Sequence, residues 1–150
     1  EPVRGRGKVF KIRRYNKYFN LIDESYNSNP LSAEEAIRKF SNLIKQKNNK
    51  YLLISDMLEL GKRSDFYHLK LAKIINKTNI DKVFIYGDKI FKTYKNISND
   101  KKGNILQTKK DFDLIFSKII NKDDYVMIKG SNAMGLHSLS KKLIEGKNVI

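Results

Sequence analysis

Asp23-Glu24-Ser25-Tyr26-Asn27-Ser28-Asn29-Pro30 lies between two kinds of hydrophobic pattern. The apolar run Tyr18-Phe19-Asn20-Leu21-Ile22 leads into it and reads as a strand. Behind it, Ser32 with Glu35 three residues on has the spacing of a capping box, so a helix is expected to open there. Two acids, hydroxyls and amides are thus crowded into a strand-to-helix turn. Open α/β sheets bind their ligands at such turns, outside the carboxyl ends of the strands. The same residues also suit a capped turn whose polar groups are simply solvated.

Outward from this stretch the pattern repeats. Upstream, Val9, Phe10 and Ile12 suggest a first strand, and Asn16-Lys17 a tight turn, which together give an antiparallel hairpin. Downstream, Ala33, Ala36, Ile37, Phe40, Leu43 and Ile44 share one face of a helix expected over 33–47. Tyr51-Leu52-Leu53-Ile54, Lys82-Val83-Phe84-Ile85-Tyr86 and Tyr125-Val126-Met127-Ile128 are short continuous apolar runs. Such runs mark strands buried on both faces of a parallel sheet. A weaker strand is expected at 104–107, after an exposed loop over 96–103. Helices are expected after each strand: one capped by Ser64 and carrying His68, Leu71, Ala72 and Ile75; a short one with Ile90, Phe91 and Tyr94; one with a Thr108/Asp111 capping box; and a last one bearing Leu136, Leu139 and Leu143. The final residues are expected to fray. The fold class is therefore α/β, Rossmann-like and doubly wound, mostly parallel with an antiparallel N-terminal hairpin strand.

Composition narrows the classes. The 150 residues suit one domain with a real core. Cysteine is absent, which excludes disulfides and thiolate chemistry. No apolar run approaches the ~20 residues of a membrane span, and the start shows no signal-peptide pattern. A formal charge of +15 invites a nucleic-acid reading. However, the lysines are scattered over every helix and loop, so a nucleic-acid partner is not expected.

Three ordered motifs carry a resemblance. Asp23 to Pro30 resembles the D-[DE]-S-Y-N-A-N-P stretch of the MurF-type Mur ligases. Ser55-Asp56-Met57-Leu58-Glu59-Leu60-Gly61, followed by His68, resembles their G-D-M-L-E-L-G…H. Lys129-Gly130-Ser131-Asn132-Ala133-Met134-Gly135-Leu136 resembles their K-G-S-R-x-M-G-L. All three belong to the third, C-terminal domain of that family. The resemblance implies the domain of an ATP-dependent ligase that adds D-Ala-D-Ala to UDP-MurNAc-tripeptide in bacterial peptidoglycan precursor synthesis. Residues 1–7 then form a connector from a central ATPase domain, and 8–150 the C-terminal domain. ATP and Mg2+ are held mainly by that central domain, and the N-terminal and central domains are partners in the same enzyme. The expected location is the bacterial cytoplasm.

Site residues follow from the same comparison. Arg6, Glu24, Tyr26, Asn27 and Asn29 are expected to contact nucleotide, with Glu24 accepting hydrogen bonds from the ribose. Lys129, Gly130, Ser131 and Asn132 are expected to bind D-Ala-D-Ala. Chemically, a strand ending in lysine and glycine before a helix N-terminus is an anion seat. A helix cap with a solvated lysine is the plainer alternative. Several residues depart from the family pattern: Glu24 stands where Asp is frequent, Ser55 where Gly is usual, Asn132 for the usual arginine, and His137 where Glu is common. No catalytic residue and no metal site are expected in this chain. Asp56 and Glu59 are read as a structural turn rather than magnesium ligands, and His68 as a core or hydrogen-bonding residue. No G-x-x-x-x-G-K-[ST] loop occurs, so the chain alone is expected to be inactive. Two other readings fit the residues: the third domain of another Mur or folate-type ligase, and a free-standing basic Rossmann-like module for a nucleotide or nucleic acid.

Overall fold

The computed structural model describes residues 7–43 and 48–146. One six-stranded sheet has the order β1-β2-β6-β3-β4-β5. The strands are β1 (Lys8–Arg14), β2 (Lys17–Glu24), β3 (Lys50–Ser55), β4 (Lys82–Tyr86), β5 (Lys102–Leu106) and β6 (Tyr125–Lys129). Only β1 runs antiparallel, paired with β2; the other neighbouring pairs are parallel. The α/β, Rossmann-like reading therefore holds. The hairpin turns at Tyr15-Asn16, both at positive φ, one residue earlier than expected. This suits a primed two-residue turn, whose twist matches that of the strands.

The helices are α1 (Pro30–Ser41), α2 (Ser64–Asn76), α3 (Phe91–Asn96), α4 (Lys109–Leu114) and α5 (Leu136–Ile144). Helices α1 and α2 bury Ala33, Ala36, Ile37, Phe40, Leu71, Ala72 and Ile75 against Ile22, Leu52, Ile54, Val83, Ile85 and Met127 on one face of the sheet. The other face takes Ile115, Phe116, Leu136 and Leu143, packed on Leu21, Leu53, Phe84, Val126 and Ile128. Alternate residues of β2, β3 and β6 thus feed two cores, which is why those runs are apolar throughout.

Several local expectations change. Asn29, not Ser32, caps α1: its side chain accepts from the Ser32 N–H at 2.9 Å, and the Ser32 hydroxyl accepts from the Asn29 N–H at 3.1 Å. Pro30 then occupies the first turn, where its missing N–H costs nothing. Helix α1 stops at Ser41 rather than running on to 47, and residues 44–47 lie outside the described segments. Lys50 closes its end. That lysine is fully buried, and its ammonium donates to the Ser41 and Leu43 carbonyls and to Asn79 Oδ1. Ser64 begins α2 without capping it through its side chain. Phe91 turns to solvent while Thr93 faces in, donating to the His68 carbonyl at 2.6 Å. The expected loop over 96–103 contains a short 3-10 turn, Asn99–Lys101, and the start of β5. The Thr108/Asp111 capping box is present as expected. Its helix widens into a π turn over Ile115–Ile119, whose terminal Ile120 carbonyl is held by the Lys17 ammonium. The expected frayed terminus, 147–150, lies outside the described residues. No helix among the described residues is long and apolar enough to cross a membrane.

Candidate functional site

Strands β2 and β6 lie side by side in parallel, with Glu24 opposite Lys129. After β2 the chain turns to α1 on one face; after β6 it turns to α5 on the other. The chain thus leaves these two carboxyl ends in opposite directions, a topological switch point at which such sheets usually place the crevice for their ligands. The two motif loops meet there. The Gly130 N–H donates to the Glu24 carbonyl at 3.4 Å, and the Asn132 N–H to the Tyr26 carbonyl at 2.9 Å. Residues assigned separately to nucleotide and to dipeptide thus line one place.

Lys129 occupies its centre. It is 2% exposed, so neither the solvated lysine nor an open anion clamp describes it. Its ammonium donates to the Asn27 carbonyl and lies 3.9 Å from Glu24 Oε1. Burial pushes the Lys129 ammonium down from its ordinary value, with the Glu24 charge opposing. Burial pushes the Glu24 carboxyl up, opposed by Lys129 and then Lys39. Glu24 keeps an edge in solvent and is shielded on one side by Gly7. A Cβ at that glycine would come within 2.8 Å of Glu24 Oε2, and its φ of +91° is itself foreign to other residues. Arg6 lies just outside the described residues.

Tyr26, Asn27 and Asn29 are exposed on the loop. The Asn29 side-chain oxygen is spent on the α1 cap, so only its amide donors face outward. Gly130 has no room for a side chain: a Cβ would sit 2.6 Å from Ser55 Oγ and 2.9 Å from the Leu136 side chain. The helix after Ser131 starts later than expected. A 3-10 turn over Asn132–Met134 and a left-handed Gly135 intervene, so α5 begins only at Leu136, beyond Ser131. Ser131 Oγ is nonetheless buried without a partner, and Asn132 is exposed.

The middle motif builds the floor. Asp56 accepts from the Ile90 N–H at 2.8 Å and crowds Gly87. Glu59 is exposed at positive φ, and Met57 is buried while Leu58 is only partly so. Among the described residues no three His, Asp or Glu side chains gather as metal ligands. His68 is fully buried; its Nε2 accepts from the Met57 N–H at 3.1 Å, which puts the proton on Nδ1 facing the Ser64 carbonyl at 2.8 Å. Its position is that of a clamp on the motif. A neighbouring cleft of about 550 Å³ runs over the ends of β4 and β5, lined by Asp56, Tyr86, Gly87, Phe91 and Met134.

The sequence reading did not include Asp23, Ser25 and His137 among the site residues. Asp23 and Ser25 are fully buried behind the loop. The Ser25 hydroxyl donates to Asp23 Oδ1 and lies 3.1 Å from His137 Nδ1. The His137 ring meets Tyr26 edge-on at 5.5 Å. Asp23 and Ser25 are legible as polar residues at a strand end; the contact with residue 137 is tertiary and leaves no local signal.

The family model described as "Mur ligase, glutamate ligase domain" matches residues 7–132. The UDP-N-acetylmuramoyl-tripeptide--D-alanyl-D-alanine ligase of Bacillus subtilis (strain 168) is 30% identical over 143 residues, covering 93% of this chain and 31% of that protein. The ligase of the same name from Buchnera aphidicola subsp. Baizongia pistaciae (strain Bp) is 32% identical over 138 residues, covering 90% of this chain and 28% of that one. The chain therefore spans under a third of the length of these relatives. Among solved structures, a MurF ligase from Thermotoga maritima in complex with ADP superposes with a TM-score of 0.77 at 19% identity, over 97% of this chain and 31% of that one. That likeness concerns the fold. With the family model covering most of its length, and all three motifs where the sheet needs them, the chain belongs to the Mur ligases, as their glutamate ligase domain.

Proposed function

We propose that this chain is the C-terminal domain of a UDP-MurNAc-tripeptide–D-Ala-D-Ala ligase, contributing nucleotide and dipeptide contacts and covering the reaction cleft. The reaction joins UDP-MurNAc-tripeptide to D-Ala-D-Ala with ATP converted to ADP and phosphate. The observation that carries the reading is the convergence of the first and third motifs on one crevice at the β2/β6 boundary. The B. subtilis and Buchnera relatives bear the name of that ligase.

In this reading ATP lies at the edge of the β2/β6 boundary. Glu24 offers a partly exposed carboxylate suited to sugar hydroxyls, and Asn27 and the Asn29 amide offer further hydrogen bonds. ATP, when bound, supplies the phosphoryl group that activates the substrate carboxyl. The phosphate cradle and the Mg2+ ligands belong to the central domain in this reading, as does the UDP-sugar site to the N-terminal one; the enzyme works in the bacterial cytoplasm. The chain's own residues orient and enclose. Lys129 holds the Asn27 carbonyl and balances Glu24, so the loop carrying Tyr26 and Asn27 keeps its shape. The turn at Gly130–Asn132 forms the wall facing the dipeptide.

The test is steady-state kinetics of the full-length protein, read as phosphate release dependent on D-Ala-D-Ala. Glu24→Ala is expected to raise the KM for ATP by about fivefold or more, the loss of one charge-assisted hydrogen bond. Unchanged ATP kinetics would remove Glu24 from the nucleotide site, and no dipeptide-dependent turnover in the wild type would sink the whole reading.

A further inference from the structure

One face of the β1–β2 hairpin is bare sheet. Alternation along the strands and their register put Val9, Lys11 and Arg13 of β1 on the face where α1 packs, opposite Ile22, Asn20 and Tyr18 of β2. Helix α1 covers Ile22, together with Met127 of β6. Toward the sheet edge, Val9 is 54% and Tyr18 43% exposed, and Lys11 and Arg13 are exposed as well. Both cations attend one ring: Lys11 Nζ lies 5.4 Å and the Arg13 guanidinium carbon 5.7 Å from the Tyr18 centroid. Neither forms an ion pair among the described residues. Lys39 of α1 borders the face beside Val9. The charged residues from 8 to 18 are Lys8, Lys11, Arg13, Arg14 and Lys17, all cationic. Carboxylates border the face at its two ends: Glu24, engaged by Lys129 at the crevice, and Asp123, whose N–H donates to the Tyr18 carbonyl at 2.7 Å.

Chemistry points to the occupant. Lysines on an edge strand repel other strands, a second copy of this chain included. That role calls for charge alone, whereas here an exposed valine and tyrosine stand among the cations. A nucleic acid matches the charge less well than the shape requires. The Tyr18 ring already lies under Lys11 and Arg13, which leaves no open platform for a stacked base, and a flat sheet face has nothing to place in a duplex groove. The surface of an anionic bilayer answers each feature. Its phosphates meet Lys11, Arg13 and Lys39, the lysine and arginine stems lie along it, and Val9 and Tyr18 sit at headgroup level, where tyrosine is enriched. The formal charge of +15 draws the whole chain toward such a surface.

We propose that the sheet face bearing Val9, Lys11, Arg13 and Tyr18 is a docking surface for an anionic lipid bilayer. The contact is peripheral: it rests on headgroups and spans nothing. It is independent of the ligase reading, because the crevice lies at the carboxyl end of β2 and the hairpin turn, Tyr15-Asn16, at the opposite end.

Vesicle binding of the 150-residue chain tests it, at about 0.15 M salt, where charges far from the surface are screened. The chain should sediment with vesicles of equal parts phosphatidylglycerol and phosphatidylcholine, and not with phosphatidylcholine alone. Lys11→Gln/Arg13→Gln should weaken that binding about tenfold or more, at roughly fivefold per cation. Lys73→Gln/Lys77→Gln removes the same charge from exposed positions in and just after α2, and should weaken it less than about twofold. Both double variants should keep the wild-type unfolding midpoint, since all four side chains are exposed. The chain has no tryptophan, so Tyr18→Trp supplies a single indole, whose emission should shift to the blue on vesicles. Absence of binding, equal weakening by the two double variants, or an unshifted indole would overturn the proposal. A duplex oligonucleotide held more tightly than the vesicles, through the same Lys11 and Arg13, would overturn it in favour of a nucleic-acid contact.

Discussion

Lys129 shows how a buried charge can support a loop. Its ammonium is placed where the Asn27 carbonyl and Glu24 both need a partner. Removing one member of such a pair leaves the other stranded. Lys129→Met is therefore expected to destabilise the domain by about 3 kcal/mol at neutral pH, measured by denaturant unfolding. The pH dependence has a definite sign. Glu24 already titrates above its ordinary 4.5 because of burial, with Lys129 holding it down. Without Lys129 the folded-state value rises further. A group raised on folding contributes stability below its unfolded value and loses it as pH rises through its folded value. The loss in Lys129→Met should thus shrink toward pH 4 and grow toward pH 7. A pH-independent loss would mean that the Asn27 carbonyl, not Glu24, is the partner that matters. In the double variant with Glu24→Gln, most of the neutral-pH loss should return.

At the scale of elements, two contacts bracket α1. Asn29 caps its start through a box with Ser32, and Lys50 caps its end from inside the core. Asn29→Ala should cost about 1 kcal/mol. Lys50→Met should cost more, about 2–3 kcal/mol, because two carbonyls and an amide oxygen lose a charged donor. Amide exchange near 40–43 should quicken in the second variant and not in the first. The strands were legible because apolar runs such as Leu52-Leu53-Ile54 admit few alternatives when both faces are buried. The Asn29 cap was misplaced by three residues because Ser32 offers the same chemistry, and only Pro30, which belongs in a first turn, distinguishes the two. Lys50 was unreadable, since nothing local separates a buried lysine from the many exposed ones. For the site, the motifs located the crevice, but the burial of Lys129 and the contact with His137 depend on chain segments over a hundred residues apart.

For the whole molecule, the sheet order decides what protects what. Strand β2 carries Asp23 and Glu24 at its end, and β1 covers its outer side, contributing Ile12 to the core. Deleting residues 1–14 should expose a row of unpaired backbone groups on β2. The expected outcome is loss of monomer by light scattering, together with a lower unfolding midpoint. A truncated chain that stays monomeric and equally stable would show that β1 is dispensable for this sheet. Because β1 alone runs antiparallel, its first residue, Lys8, pairs with Asp23 at the crevice end. Gly7 follows the same line, donating its N–H to the Asp23 carbonyl at 2.6 Å.

That pairing fixes Gly7 beside Glu24, so any swing of the domain about this glycine, in the ligase reading proposed above, would turn close to the carboxylate. Gly7 continues the line of β1, and β5 lies five places across the sheet from it, a lever arm of about 24 Å at the ordinary strand spacing. A 20° swing about Gly7 would carry β5 through roughly 8 Å while moving Glu24, one strand away, by about 2 Å on the same spacing. Such a swing would move the far side of the domain several times farther than the groups next to the glycine.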